Sequence, residues 1–209
     1  MGKRRFTPLL LRLAVLPLFA AGQAMAHHLP PGMEEVDEFA EPAFTAALTH
    51  PLSGADHWMA AVAVGLIAGS WGKKAGLASA MMFLGGMAGG ITAGRLGFQM
   101  PLMESALAAS VLCLGAAVAG AQHVRARTMA ALSAMAGIFH GTAHGVEMPA
   151  SISSWTYGAG LILTSAAITA TAAFLTLTRP ASLPALPRWA GATLAAAGTW
   201  LLITRLAAA

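Results

Sequence analysis

Charged residues are scarce in this chain: they make up 10% of its 209 residues, whereas apolar residues make up 57%. Soluble domains average about 25% charged and about 45–50% apolar residues. The composition therefore excludes an ordinary water-soluble domain and indicates a protein that lies in a lipid bilayer. Four of the twelve basic residues fall within the first twelve positions, and the other eight are balanced by eight acidic residues. The chain consequently lacks the basic surface that nucleic-acid binding requires.

Cysteine is almost absent. Cys113 is the only cysteine, so an intramolecular disulfide is excluded. The twelve methionines form no paired Met-x-x-Met clusters, and we expect them to pack in the core. Met148, beside Glu147, is the one methionine to test as an auxiliary ligand. A site for Cu(I), which prefers thiolate and thioether ligands, is not indicated.

The N-terminus has the three parts of a secretory signal peptide. It begins with basic residues, continues with an apolar stretch over residues 8–21, and ends with a small-x-small cleavage site at residues 24–26. We therefore expect residues 1–26 to be removed, so that the mature chain begins at His27 on the periplasmic side.

Residues 27–49 are predicted to form a periplasmic tail that is acidic and contains histidine. Up to Pro42 it carries five acidic residues beside two prolines, which favours an extended conformation. A free amine at His27, together with the imidazole of His28, would offer a divalent ion a place to bind.

Six apolar stretches follow, each near the roughly 20 residues that a membrane-spanning helix needs. They lie at about 50–70, 75–94, 102–120, 128–147, 154–178 and 188–206. With the tail outside, the predicted cytoplasmic connections hold six of the eight basic residues beyond the signal peptide. That bias is typical of the bacterial inner membrane. The sequence thus predicts an all-α, multi-pass transmembrane bundle of six spans over residues 50–209, after a cleaved signal peptide, with the bilayer as its main partner.

Glycine recurs at four-residue intervals within these stretches. Small residues at this spacing allow membrane helices to approach closely. We expect the stripe formed by Gly137, Gly141 and Gly145 to accommodate the helix that begins near His50, and glycine-rich faces to support a homo-oligomer. The other repeats are Gly65 and Gly69, and Gly85, Gly86, Gly89, Gly90 and Gly94.

The end of the fourth predicted span has a metal-ligand pattern. His140, His144 and Glu147 stand at positions i, i+4 and i+7, so they share one face of an α-helix. Imidazole and carboxylate ligands suit divalent nickel, cobalt and zinc. Ionisable groups inside a bilayer cost about 2.5–3.5 kcal/mol each on insertion scales, and a bound cation would offset that cost.

The start of the first predicted span supplies further ligands: His50, Asp56 and His57. Counting 1.5 Å per residue from the cytoplasmic charges places His57 about 24 Å up, and the two histidines of the fourth span about 20 and 26 Å up. The two motifs should therefore meet at one level. Pro51 fits the first turn of a helix, so His50 is expected just before it. Asp56 either ligates the metal or orients an imidazole.

The two motifs, residues 50–57 with 62–65 and residues 139–149, closely resemble the HupE/UreJ family of nickel/cobalt permeases. The resemblance extends from residue 27 to the C-terminus. It implies a six-helix inner-membrane protein that imports Ni²⁺, with Co²⁺ as a second substrate, for hydrogenase or urease maturation. It implies no tightly bound organic cofactor and no enzymatic activity. By motif position it assigns metal handling to His50, Asp56, His57, His140, His144 and Glu147. Ala61 and Thr142 depart from residues common in the family, which leaves the metal preference open.

Three other classes fit parts of the pattern. An intramembrane zinc hydrolase would use the same histidines and carboxylates with an open coordination position and a general base. A haem-binding electron carrier would place two histidines on facing helices. A structural subunit would tolerate replacement of the histidines.

Overall fold

The computed structural model describes residues 40–148 and 153–208. The predicted signal peptide, most of the predicted tail with His27 and His28, and Pro149 lie outside the described residues. Within the described ranges the chain is all-helical and contains no strand, which confirms the all-α part of the predicted fold class. Its helices are α1 (Ala40–Ser53), α2 (Ala55–Ser70), α3 (Lys73–Arg95), α4 (Met103–Ala119), α5 (Ala126–Glu147), α6 (Ser154–Leu177) and α7 (Leu186–Ala208), with a 3₁₀ turn at Ala121–His123.

Several of these helices are suited to cross a membrane. Among the described residues, α3, α6 and α7 are long and apolar enough to do so. Helices α1 and α2 meet at an angle of 82° and qualify together as a broken span or a re-entrant loop. Helix α4 is apolar but has only 17 residues. The fold is therefore that of a membrane protein with three or four candidate spans, and the number six stays a prediction.

Helix α1 differs from the sequence-based expectation. Residues 40–49, which belong to the predicted tail, are helical, and Pro51 lies near the end of α1 instead of opening a helix. The reason is packing against α6. Ala47 is fully buried, and a side chain at Gly160 would come within 2.7 Å of its Cβ atom. Thr164 also donates a hydrogen bond of 2.9 Å to the Leu48 carbonyl.

Helix α2 occupies the centre of the bundle and contacts each of the other six helices. Its side chains are mostly small and apolar, which allows neighbours to approach on every side. Met59, Val64 and Ile67 are completely buried. A helix that is apolar all round is expected in such a position. The first turn of α2, which contains His57, is therefore held firmly inside the protein.

The glycine stripe of α5 has a different partner from the predicted one. A Cβ atom at Gly141 would lie 2.1 Å from the Met87 carbonyl oxygen, so the stripe packs against α3. Helix α3 contributes its own glycines: a Cβ atom at Gly90 would lie 2.3 Å from the Ile138 oxygen. The prediction that the stripe receives the His50 helix is wrong. Each histidine of α5 is followed directly by a glycine of the stripe, and adjacent positions of a helix point about 100° apart. The glycines and the histidines therefore face different neighbours. The stripe faces α3, while the adjacent histidine face of α5 meets α1, α2 and α4.

Candidate metal centre

Four histidine rings meet inside the bundle, supplied by three helices. His57 comes from the first turn of α2, His140 and His144 come from the C-terminal half of α5, and His50 comes from the end of α1. The His57 ring centroid lies 4.7 Å from that of His140 and 4.3 Å from that of His144. The His50 centroid lies 5.0 Å from His144 and 6.1 Å from His57. The predicted meeting of the two motifs is therefore found in the structure.

These separations suit rings that share one ion. With a metal–nitrogen bond of about 2.0–2.1 Å, a ligating ring has its centroid about 3.2 Å from the metal. Two such rings on one ion are then about 4.5 Å apart at a right angle and about 6.4 Å apart when opposite. All four measured separations fall within or close to this range.

The rings are not yet arranged as a finished coordination sphere. Neighbouring ring planes are inclined by 51° to 85°. Within residues 40–148 and 153–208, no three His, Cys, Asp or Glu side chains are placed so as to hold an ion. The ring centroids are thus close enough to share an ion, but the ligand atoms of the side chains do not yet converge on one point. Side-chain rotations would be needed to aim the nitrogen atoms at one point.

Asp56 acts on His57. Its carboxylate accepts a 2.6 Å hydrogen bond from the His57 Nδ1 atom and a 2.9 Å bond from the His57 backbone N–H. Both side chains are buried. The carboxylate thus holds the proton on Nδ1 and leaves the lone pair on Nε2, the arrangement with which proteins orient a metal-binding imidazole. The contacts therefore favour the role of Asp56 in orienting an imidazole over its role as a metal ligand.

Glu147 lies at the rim of the cluster. It is half-buried, one turn beyond His144, and within electrostatic range of the Tyr157 hydroxyl. The Tyr157 ring centroid lies 6.4 Å from that of His50. The described contacts therefore join His50, Asp56, His57 and the α5 histidines closely, and they connect Glu147 through Tyr157.

Three residues around the cluster were not predicted from the sequence. Ser110 of α4 has its hydroxyl oxygen 3.1 Å from the His140 Nε2 atom. Tyr157 of α6 is the only tyrosine of the chain, which was an available signal. Arg95, which would pass for an ordinary loop residue, ends α3 and donates a 3.0 Å hydrogen bond to the Met148 carbonyl just after α5.

The fold and the cluster together define a helical, multi-pass membrane protein with several imidazoles gathered inside its bundle. The family model for HupE / UreJ protein matches residues 13–201. The chain therefore belongs to the HupE / UreJ family, which confirms the resemblance noted from its motifs.

A curated relative, Protein HupE of Rhizobium leguminosarum bv. viciae, is 38% identical over 117 residues. The matched segment covers 56% of this chain and 61% of the relative, which is less than two thirds of the relative's length. No solved structure matches the chain.

Proposed function

We propose that this protein carries Ni²⁺ from the periplasm across the bacterial inner membrane, with Co²⁺ as a second substrate. The imported metal would supply the maturation of a metalloenzyme such as hydrogenase or urease. The observation that carries the proposal is the proximity of His57 to both α5 histidines, at 4.3 and 4.7 Å between ring centroids. Membership in the HupE / UreJ family favours transport over the three other classes considered above.

The cluster offers the ligands that a borderline divalent ion prefers. Imidazole binds nickel and cobalt well, and a neighbouring carboxylate adds negative charge. A hydrated ion that reached Glu147 at the rim would exchange its waters for imidazole nitrogens. The route inward would then run between α2 and α5. Rings that must rotate to complete the site suit a transported ion, since conduction requires binding that is weak enough for release.

The membrane potential is a sufficient driving force. Moving one charge through 100 mV is worth about 2.3 kcal/mol, so a divalent cation gains about 4.6 kcal/mol. That free energy corresponds to roughly thousandfold accumulation. Neutral imidazoles are required for binding, so ion loading would release protons from any protonated ring. Both uniport and proton-coupled transport are consistent with this requirement.

Uptake of radiolabelled Ni²⁺ at trace concentration tests the proposal. Cells expressing the wild type, His57→Ala or His144→Ala would be compared at equal membrane abundance of the protein, with Co²⁺ and Zn²⁺ as competitors. His123→Ala is the matched control, because this exposed histidine lies on the 3₁₀ turn between α4 and α5, away from the cluster.

We expect uptake by the wild type and the His123 variant, and near-background uptake by the two cluster variants. Equal uptake by all four proteins would remove the transport proposal. Hydrolysis of lipid or peptide by the purified zinc-loaded protein, with no nickel uptake, would instead support the hydrolase alternative.

A further inference from the structure

Ser110 connects a fourth helix, α4, to the histidine cluster. It is buried, and its hydroxyl oxygen lies 2.7 Å from the Leu107 carbonyl oxygen and 3.1 Å from the His140 Nε2 atom. Neither motif of the sequence includes this serine. Its two contacts together determine the direction of the hydrogen bond to His140.

The direction follows from the number of protons available. A carbonyl oxygen can only accept, and a serine hydroxyl has a single proton to donate. The 2.7 Å contact with Leu107 has the usual length of an O–H···O bond, and a serine within a helix commonly donates to a carbonyl three or four residues earlier. With its proton used there, the Ser110 oxygen can only accept from His140. The proton of a neutral His140 ring therefore lies on Nε2.

We propose that Ser110 is a positioning residue that holds His140 in its Nε2–H tautomer, so that the Nδ1 lone pair is the one offered to an ion. A neutral imidazole has only one such lone pair. In the opposite tautomer that lone pair would point at Ser110 instead.

His57 is held in the opposite form. The Asp56 carboxylate accepts the proton of its Nδ1 atom, so its lone pair lies on Nε2. The two ring centroids are 4.7 Å apart, and the rings present different nitrogen atoms. In each ring the partner that accepts the proton, Asp56 or Ser110, determines which nitrogen keeps its lone pair. Hydrogen bonding of the nitrogen that does not bind metal is the usual way in which proteins orient histidine ligands.

Removal of the Ser110 hydroxyl would leave the Nε2–H group of a buried ring without its acceptor. A neutral hydrogen bond of this kind shifts an equilibrium by about twofold to tenfold. The ratio of the two His140 tautomers should fall by that factor. Initial Ni²⁺ uptake should fall by a smaller factor than the ratio, because uptake follows the fraction of the tautomer that offers its lone pair to the ion. This last consequence, unlike the tautomer itself, rests on the proposed function.

Nitrogen-15 NMR of the metal-free full-length protein tests the assignment. The histidines would be labelled with ¹⁵N, the protein placed in lipid nanodiscs at about pH 8, where imidazoles of ordinary pKa are neutral, and the His140 signals identified by their loss in His140→Gln. In the wild type we expect a protonated Nε2 atom and a bare Nδ1 atom at His140. Ser110→Ala should lower the tautomer ratio, and Ser110→Thr, which retains a hydroxyl, should restore it. Ser105→Ala is the matched control, since it removes another buried serine hydroxyl from α4.

A proton on the His140 Nδ1 atom in the wild type would overturn the inference, and so would an unchanged tautomer ratio in Ser110→Ala. The wild-type spectrum decides the assignment even where a variant does not accumulate. Because the spectra are recorded without metal, the test of the His140 tautomer is independent of the test of nickel transport. If the predicted tautomers are found in a protein that takes up no nickel, the role of Ser110 stands and the proposed function fails.

Discussion

Replacement of Gly54 by alanine should disturb the Asp56–His57 pair and little else. Gly54 precedes α2 with φ −86° and ψ 115°, angles that alanine adopts without strain. A Cβ atom there would lie 2.8 Å from the His57 Nδ1 atom and 3.3 Å from the Asp56 Oδ1 atom. The added methyl group therefore presses on the two atoms joined by the 2.6 Å hydrogen bond.

The size of the effect follows from that bond. A buried hydrogen bond to a charged group is worth about 1.5–3 kcal/mol. Its full loss would weaken ion binding at His57 by about tenfold to hundredfold. The helices themselves should remain in place, because the clash involves side chains of the first turn only.

The assay is the initial rate of Ni²⁺ uptake at trace concentration, corrected for the amount of protein in the membrane. Gly89→Ala is the matched control, since a Cβ atom at Gly89 has no atom within 4 Å. We expect at least a tenfold loss in the Gly54 variant and wild-type uptake in the Gly89 variant. Wild-type uptake by Gly54→Ala would refute the reasoning, and equal losses in both variants would show that the effect is not specific to the Asp56–His57 pair.

Three further predictions use other contacts. Gly141→Ala places a Cβ atom 2.1 Å from the Met87 carbonyl oxygen, so α3 and α5 must separate. The free energy of unfolding, followed by thermal denaturation in detergent, should drop by about 1–3 kcal/mol or more. A value equal to that of Gly89→Ala would contradict the packing. Asp56→Asn replaces the charge-assisted hydrogen bond to His57 by a neutral one about half as strong. Ni²⁺ uptake should therefore fall less in Asp56→Asn than in Asp56→Ala. Identical losses would argue against a hydrogen bond between the introduced amide and His57 in the variant. Arg95→Ala removes a hydrogen-bond donor to the Met148 carbonyl, which follows α5. Backbone amide hydrogen exchange should quicken in the last turn of α5 alone. Unchanged exchange would show that this contact does not hold the helix end.

The helices after residue 55 were predictable because a lipid environment restricts the choice of structure. Backbone groups inside a bilayer must be satisfied within the chain, so a long apolar run reads as a helix. The predicted stretches 75–94 and 154–178 correspond to helices Lys73–Arg95 and Ser154–Leu177. The meeting of the two histidine motifs was predictable for a similar reason: a helix rises 1.5 Å per residue, so residue counts along two helices indicate which of their positions lie at the same level.

Which faces of the helices meet could not be predicted in the same way. A glycine stripe shows that some helix packs closely, but not which one, and the stripe of α5 selects α3. Ser110 was invisible for another reason: one serine in an apolar run carries no spacing pattern, and its importance comes only from its contact with His140. Position along the helix axes was therefore accessible from the sequence, whereas rotation about each axis was not.

The break between α1 and α2 explains how His50 joins the cluster. His50 and His57 are seven residues apart, and on one continuous helix they would be separated by about 10.5 Å along the axis. Their ring centroids are instead 6.1 Å apart, because the chain turns by 82° between the two helices. Pro51, which was predicted to open a span, instead lies near the end of α1, and Gly54 precedes the first residue of α2. The bend thereby brings a third helix end to the site, and a change that straightened it should separate His50 from His144 before it affects the contacts between α2 and α5.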